Sequence, residues 1–113
     1  MVIPTLKVLL IAKNNLTKIK NINEMNKLEV LDLHSNKIPK IEGVSMLTSL
    51  RILNLSHNQI VKMENLDTLV SLNELNLKSN LIILIECMHK LTKLEKCYML
   101  TTESKSKVSR HVS

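Results

Sequence analysis

The sequence holds one tyrosine, Tyr98, and no phenylalanine or tryptophan among its 113 residues. A core of mixed architecture uses aromatic rings as large fillers. Here the apolar 44% of the chain is almost wholly aliphatic, which suits stacked layers of one repeated cross-section. Glycine is nearly missing too. Gly43 stands alone, so no glycine-rich loop is available to cradle a phosphate. No apolar run reaches the ~18 residues that a membrane span requires. Val8 to Ala12 is apolar but too short for the core of a signal peptide. Arginine is confined to Arg51 and Arg110, although tight interfaces favour Trp, Tyr and Arg as anchors. Cys87 and Cys97 make no metal or redox motif, and reduced thiols in a cytosolic protein are expected. Asn15-Leu16-Thr17 and Asn54-Leu55-Ser56 match the glycosylation sequon, which without a signal peptide reads as chance.

What the chain does contain is a period. Leu6, Leu28, Leu50, Leu72 and Leu94 are spaced 22 residues apart without an insertion. Behind the first four leucines one ladder recurs. The second copy reads Leu28, Leu31, Leu33, Asn36, Ile38, Ile41, Val44, Leu47, and the third Leu50, Leu53, Leu55, Asn58, Ile60, Met63, Leu66, Leu69. The first is Leu6, Leu9, Ile11, Asn14, Leu16, Ile19, Ile22, Met25, and the fourth Leu72, Leu75, Leu77, Asn80, Ile82, Ile85, Met88, Leu91. Every column is apolar except the asparagine. The pattern L-x-x-L-x-L-x-x-N-x-L resembles leucine-rich repeats.

Each column has a physical reason. The L-x-L pair alternates at period two, so both leucines point inward from a short strand. Strands are expected near residues 8–11, 30–33, 52–55 and 74–77, stacked in parallel. Asn14, Asn36, Asn58 and Asn80 follow the strands where the chain must turn. A buried amide there can satisfy backbone donors and acceptors of neighbouring turns, as no apolar side chain could. The remaining apolar residues fall three apart, which predicts short 3₁₀ or helical turns on the convex side. The expected fold class is α/β, a leucine-rich-repeat solenoid with a parallel concave sheet.

The solenoid is expected over residues 1–102, with full repeats starting at 6, 28, 50 and 72 and partial repeats at both ends. Ile3 falls where the last apolar residue of a preceding repeat would stand, and no polar cap precedes it, as a solenoid end requires. In the fifth repeat Leu94, Cys97 and Met99 keep the strand, but Thr102 replaces the asparagine and Ser104 the next apolar residue. Residues 103–113 are polar and basic, and are expected to be a disordered tail. The chain is read as a fragment of a longer protein.

No catalytic set stands out, and no cofactor or metal is expected. His34 and His57 fall one place apart on adjacent repeats, with Asp32 two residues before His34. A metal cluster can be drawn from them, but solvated surface residues are the expected reading. His89 and His111 have no partner. Cys97 stands in a core leucine column as a small buried hydrophobe. Cys87 lies at a convex position without a cation to activate it.

A solenoid binds through the rigid face of its strands. The outward positions are Val8, Leu10 and Ala12; Val30, Asp32 and His34; Ile52, Asn54 and Ser56; Glu74, Asn76 and Lys78. The fading fifth strand adds Lys96, Tyr98 and Leu100. Val8, Leu10, Val30 and Ile52 form an apolar patch, which either binds a partner, is covered by upstream sequence, or reflects only the fitness of β-branched residues for strands. Tyr98 is the one aromatic anchor. Charge is uneven within the total of +6. Residues 6–27 set Lys7, Lys13, Lys18, Lys20 and Lys27 against Glu24 alone. Such a basic edge attracts acidic tails, nucleic acid or anionic lipid. Nucleic acid is not expected, since stacking aromatics are missing, and a solvated surface is the plainer reading.

The 22-residue period further resembles the subclass of these repeats found in regulatory subunit 7 of protein phosphatase 1 and in many ciliary and centrosomal proteins. The likeness covers residues 3–100 and implies a cytosolic or nuclear, non-enzymatic docking surface. The phosphatase-binding face in that family uses acidic and aromatic residues, where this chain has Val8, Val30, Ile52 and Asn54. Leu6 to Asn14, Val30 to Ile38, Leu50 to Leu55 and Leu72 to Leu77 resemble successive repeats of a subunit of the tubulin polyglutamylase complex. Lys13, Asp32, His34 and Glu74 carry that likeness beyond consensus positions. It implies a scaffold for a tubulin-associated protein in the cytoplasm, in cilia or near centrioles. The alternative is a regulatory subunit that docks on an enzyme such as a phosphatase. A binder of nucleic acid or lipid through the basic edge is a third class.

Overall fold

The computed structural model describes residues 4–85 and 89–99. The expectations for Ile3, Cys87, Met88, Leu100, Thr102, His111 and the tail 103–113 fall outside these residues. Five three-residue strands run in chain order: β1 (Val8–Leu10), β2 (Val30–Asp32), β3 (Ile52–Asn54), β4 (Glu74–Asn76) and β5 (Lys96–Tyr98). They form one parallel sheet in the order β1-β2-β3-β4-β5. The register advances by one repeat at each step: Leu9 pairs with Leu31, Leu31 with Leu53, Leu53 with Leu75, and Leu75 with Cys97. Each strand is one residue shorter than the alternation predicted.

The middle residue of each strand points into the core and its neighbours point out, as period two demands. Leu31, Leu53, Leu75 and Cys97 are fully buried. So are the other aliphatic columns of the second and third coils, from Leu28 through Leu69, apart from a trace of exposure at Leu33. Each such leucine or isoleucine stabilises the fold by about 2 kcal/mol relative to solvent. In the first coil Leu6, Leu9, Ile11 and Leu16 are only partly buried against this core.

The asparagine column bonds as expected in the second, third and fourth coils. Asn36 Oδ1 accepts the N–H of Asn14 and of Leu16, both at 2.9 Å, and its Nδ2 donates to the carbonyls of Ile11 and Leu33. Asn58 and Asn80 repeat this, accepting from Ile38 and Ile60 and donating back to Leu33 and Leu55. Asn14 differs. It is exposed, and among the described residues its side-chain amide donates to the local carbonyl of Ala12 at 2.8 Å.

The expected helical turns are corrected by the structure: among the described residues there is no helix. The N–H of Met25 bonds to Ile22 O and that of Leu28 to Met25 O, and the same pairs recur at Leu47 and Leu50, then Leu69 and Leu72. These bonds span three residues but are themselves three residues apart. A 3₁₀ segment needs them on consecutive residues, so the convex side is a chain of separate single turns. A second correction concerns Ile85, expected in the core and 44% exposed, whereas Ile41 and Met63 in the same column are fully buried. In sequence this column continues after Ile85 as the charged Lys107, whereas Ile41 and Met63 are each followed in it by an apolar residue.

Two columns of left-handed backbone make the coil close. Lys13, Ser35, His57 and Ser79 have φ between 56° and 59°, directly after the outward strand positions. Asn21, Gly43 and Asn65 have φ of 64°, 71° and 61° on the convex side. Asn tolerates this region better than most residues, and glycine at position 43 answers a further need. A Cβ there would sit 2.7 Å from the carbonyl oxygen of Ile19.

Candidate protein-interaction surface

Because the strands are in register, outward side chains form rows across the concave face. The first row is Val8, Val30, Ile52, Glu74 and Lys96, and the second Leu10, Asp32, Asn54, Asn76 and Tyr98. A third, just past the strands, holds Ala12, His34, Ser56 and Lys78. Val8 and Leu10 are 50% and 66% exposed. Val30 and Ile52 are half-buried beside them. The apolar corner expected from the sequence is therefore one continuous patch. At the opposite corner Lys78 Nζ lies 5.0 Å from the centroid of the Tyr98 ring, a cation–π pair.

The second row has a structural duty that sequence reasoning missed. Asp32 Oδ1 accepts the N–H of His34 at 3.0 Å, Asn54 Oδ1 that of Ser56 at 3.0 Å, and Asn76 Oδ1 that of Lys78 at 3.1 Å. Each is an Asx turn that ends its strand. The signal was present as Asp or Asn in one column, two residues before the turn. Only the second atom of each head group, Asp32 Oδ2 or the Nδ2 of Asn54 and Asn76, is left over from this bond. Asp32 Oδ2 lies 3.9 Å from His34 Nε2. Ser56 is placed differently from its row: it is buried, and its hydroxyl donates to Asn54 Oδ1 at 2.8 Å. It supports the face rather than presenting to solvent. Glu74, Asn76, Lys78 and Tyr98 are half-buried and Lys96 is exposed.

His34 and His57 are not brought to one centre. His34 bonds through Nδ1 with Ser35 Oγ at 3.1 Å and faces Asp32, while His57 stands exposed in the left-handed column. Among the described residues no group of three or more His, Cys, Asp or Glu could hold a metal ion. A cavity of about 210 Å³ opens beneath the first coil, lined by Leu9, Ile11, Leu16, Ile19, Leu31 and Leu33, with Lys18, Lys20 and Asn21 among its other residues. It is an aliphatic gap where the core is least covered, not a set of convergent polar groups. No helix among the described residues is long and apolar enough to cross a membrane.

Comparison with known proteins agrees with this architecture. A family model described as leucine rich repeat matches residues 4–60, half of the chain. An internalin (inlF) from Listeria monocytogenes superposes with a TM-score of 0.81 at 29% identity, covering 88% of this chain and 29% of that one. The functional domain of InlJ from the same organism, which includes a cysteine ladder, gives 0.76 at 28% identity over 86% of this chain and 21% of that one. An internalin C2 (inlC2), also from Listeria monocytogenes, shares the fold at 0.70 and 24% identity, covering 74% of this chain and 37% of that one. This chain thus spans less than a third of the first two. No curated protein matches it. Leucine-rich-repeat proteins generally serve as scaffolds for protein–protein interaction, and the fold is typical of non-enzymatic domains. With the repeat columns, the in-register sheet and the family model in agreement, the chain belongs to the leucine-rich-repeat family.

Proposed function

We propose that this chain is a non-enzymatic interaction module that docks another protein on its concave sheet, with the apolar corner at Val8, Leu10, Val30 and Ile52 as the first point of contact. The observation that carries this reading is the exposure of Val8 and Leu10 on a hydrogen-bonded ladder. Apolar side chains held rigidly in water gain from a complementary surface without an ordering cost. The polar rows, Asp32 with His34, then Asn54, Asn76, Glu74, Lys78 and Tyr98, supply selectivity toward a partner of mixed charge.

The finer proposal is a cytoplasmic, cytoskeletal or ciliary scaffold for tubulin-associated proteins. Its support is that Leu6 to Asn14, Val30 to Ile38, Leu50 to Leu55 and Leu72 to Leu77 resemble repeats of leucine-rich repeat-containing protein 49 of the tubulin polyglutamylase complex, with Lys13, Asp32, His34 and Glu74 beyond the consensus. The alternative is a regulatory subunit docking on a phosphatase. Pull-down with the full chain separates them: wild type is compared with Val8→Glu/Leu10→Glu and with Thr68→Glu, exposed away from the sheet. Recovery of tubulin-modifying components by wild type and Thr68→Glu, but not by the double variant, is expected. A phosphatase catalytic subunit recovered in their place selects the alternative. Equal recovery by all three chains removes the concave face from the proposal.

A further inference from the structure

The flank that descends from the strands changes character in the fourth coil. Its coils stack in register, since Lys37 N bonds to Leu16 O, Gln59 N to Ile38 O, and Leu81 N to Ile60 O. Leu81 therefore continues the column of Lys37 and Gln59. Ile83 continues that of Pro39 and Val61, and Leu84 that of Lys18, Lys40 and Lys62. These columns face solvent in every coil, so the leucines and isoleucine are not displaced core residues. Leu81 is 52% exposed, Leu84 63% and Ile83 94%, with Val61 at 60% beside Ile83. Along the same flank the preceding coils carry Lys18, Lys20, Lys37, Lys40 and Lys62, all exposed, against the half-buried Glu42 and Glu64.

We propose that this flank binds an anionic phospholipid surface, with Ile83 and Leu84 entering the interface and the lysine line lying along the headgroups. The occupant follows from the chemistry. The aliphatic side chains project outward, so they fit a fluid apolar layer that needs no shaped pocket. The lysine line repels a second copy of itself and complements a negative membrane surface, each lysine there strengthening binding about fivefold. A folded protein partner would instead be expected to meet a mixed surface of both charges, whereas the exposed charges along this flank are lysines.

The test is co-sedimentation of the full chain with vesicles of phosphatidylcholine alone or mixed with phosphatidylserine, beside sedimentation equilibrium without lipid. Binding is expected to the mixed vesicles only, falling as salt rises. Lys40→Ala/Lys62→Ala should weaken it about 25-fold. Ile83→Asp/Leu84→Asp should abolish it while circular dichroism stays unchanged. Ile83→Ser, a milder change, should still bind several-fold more weakly than wild type if the charged pair disturbs folding. The proposal is overturned if the chain stays in the supernatant with mixed vesicles. It is also overturned if the aliphatic variants bind like wild type, which leaves charge attraction alone, or if wild type is a dimer that Ile83→Ser dissociates. Val8→Glu/Leu10→Glu is expected to bind vesicles normally, which separates this surface from the concave one.

Discussion

The side-chain amide of Asn58 donates to the carbonyl of Leu33, 25 residues earlier, at 3.1 Å. Its Oδ1 accepts the N–H of Ile38 at 3.0 Å. One buried head group thus ties two coils together by groups that would otherwise be stranded without water. Asn58→Ala should cost about 3 kcal/mol, because it leaves a buried donor and acceptor unpaired. Asn14→Ala should cost below ~1 kcal/mol, because the exposed Asn14 amide bonds locally to Ala12. Urea unfolding of the two variants measures the difference, and equal costs would refute the ladder's role.

Leu53→Ala should destabilise by about 3 kcal/mol, since it opens a cavity in a fully buried layer. Leu53→Asp should abolish the cooperative transition by placing a charge there without a partner. A normal melt for Leu53→Asp, followed by circular dichroism, would mean that the inward phase of β3 is wrong.

Asp32 faces out, yet its carboxylate closes a turn through the N–H of His34. Asp32→Ala should therefore cost about 1 kcal/mol, while Asp32→Asn, which keeps the accepting oxygen, should be nearly neutral. Asn54 and Asn76 already perform the same task as amides. Chemical denaturation of both variants distinguishes the turn from a role of charge alone.

Gly43→Ala should lose more than ~2 kcal/mol, combining positive φ with the Cβ contact at Ile19. His57→Gly should instead gain about 0.5 kcal/mol, since His57 holds φ 57°, where a side chain is strained and glycine is not, less the entropy that glycine loses on folding. Thermal melts of the pair check both signs. A large loss at His57→Gly would show that the imidazole itself holds structure.

The inward columns were legible because burial and period coincide: Leu31, Leu53 and Leu75 repeat one residue type in one environment. The outward rows were legible from the same phase, and so was the apolar corner at Val8 and Leu10. The turns of the convex side were not, because spacing of three at Ile19, Ile22, Met25 and Leu28 fits a helix and a run of separate turns equally. Hydrogen bonding alone decides between them. Ser56 was read as a surface residue because alternation places it outward, but the turn after β3 folds its hydroxyl back onto Asn54. Ile85 matched its column by residue type, yet burial also depends on what the next coil provides.

The unbroken register across the sheet also sets a rule for how such a chain can change length. The bonds of the asparagine ladder recur at fixed sequence separations, and the left-handed columns of Lys13 and Asn21 recur at the same step. Duplicating or deleting 22 residues anywhere within the coils preserves every pairing. Removing one residue inside a coil shifts strands, amides and turns out of phase together. Growth by whole copies is thus the cheap move for this architecture, and the concave face lengthens by one rung with each copy added.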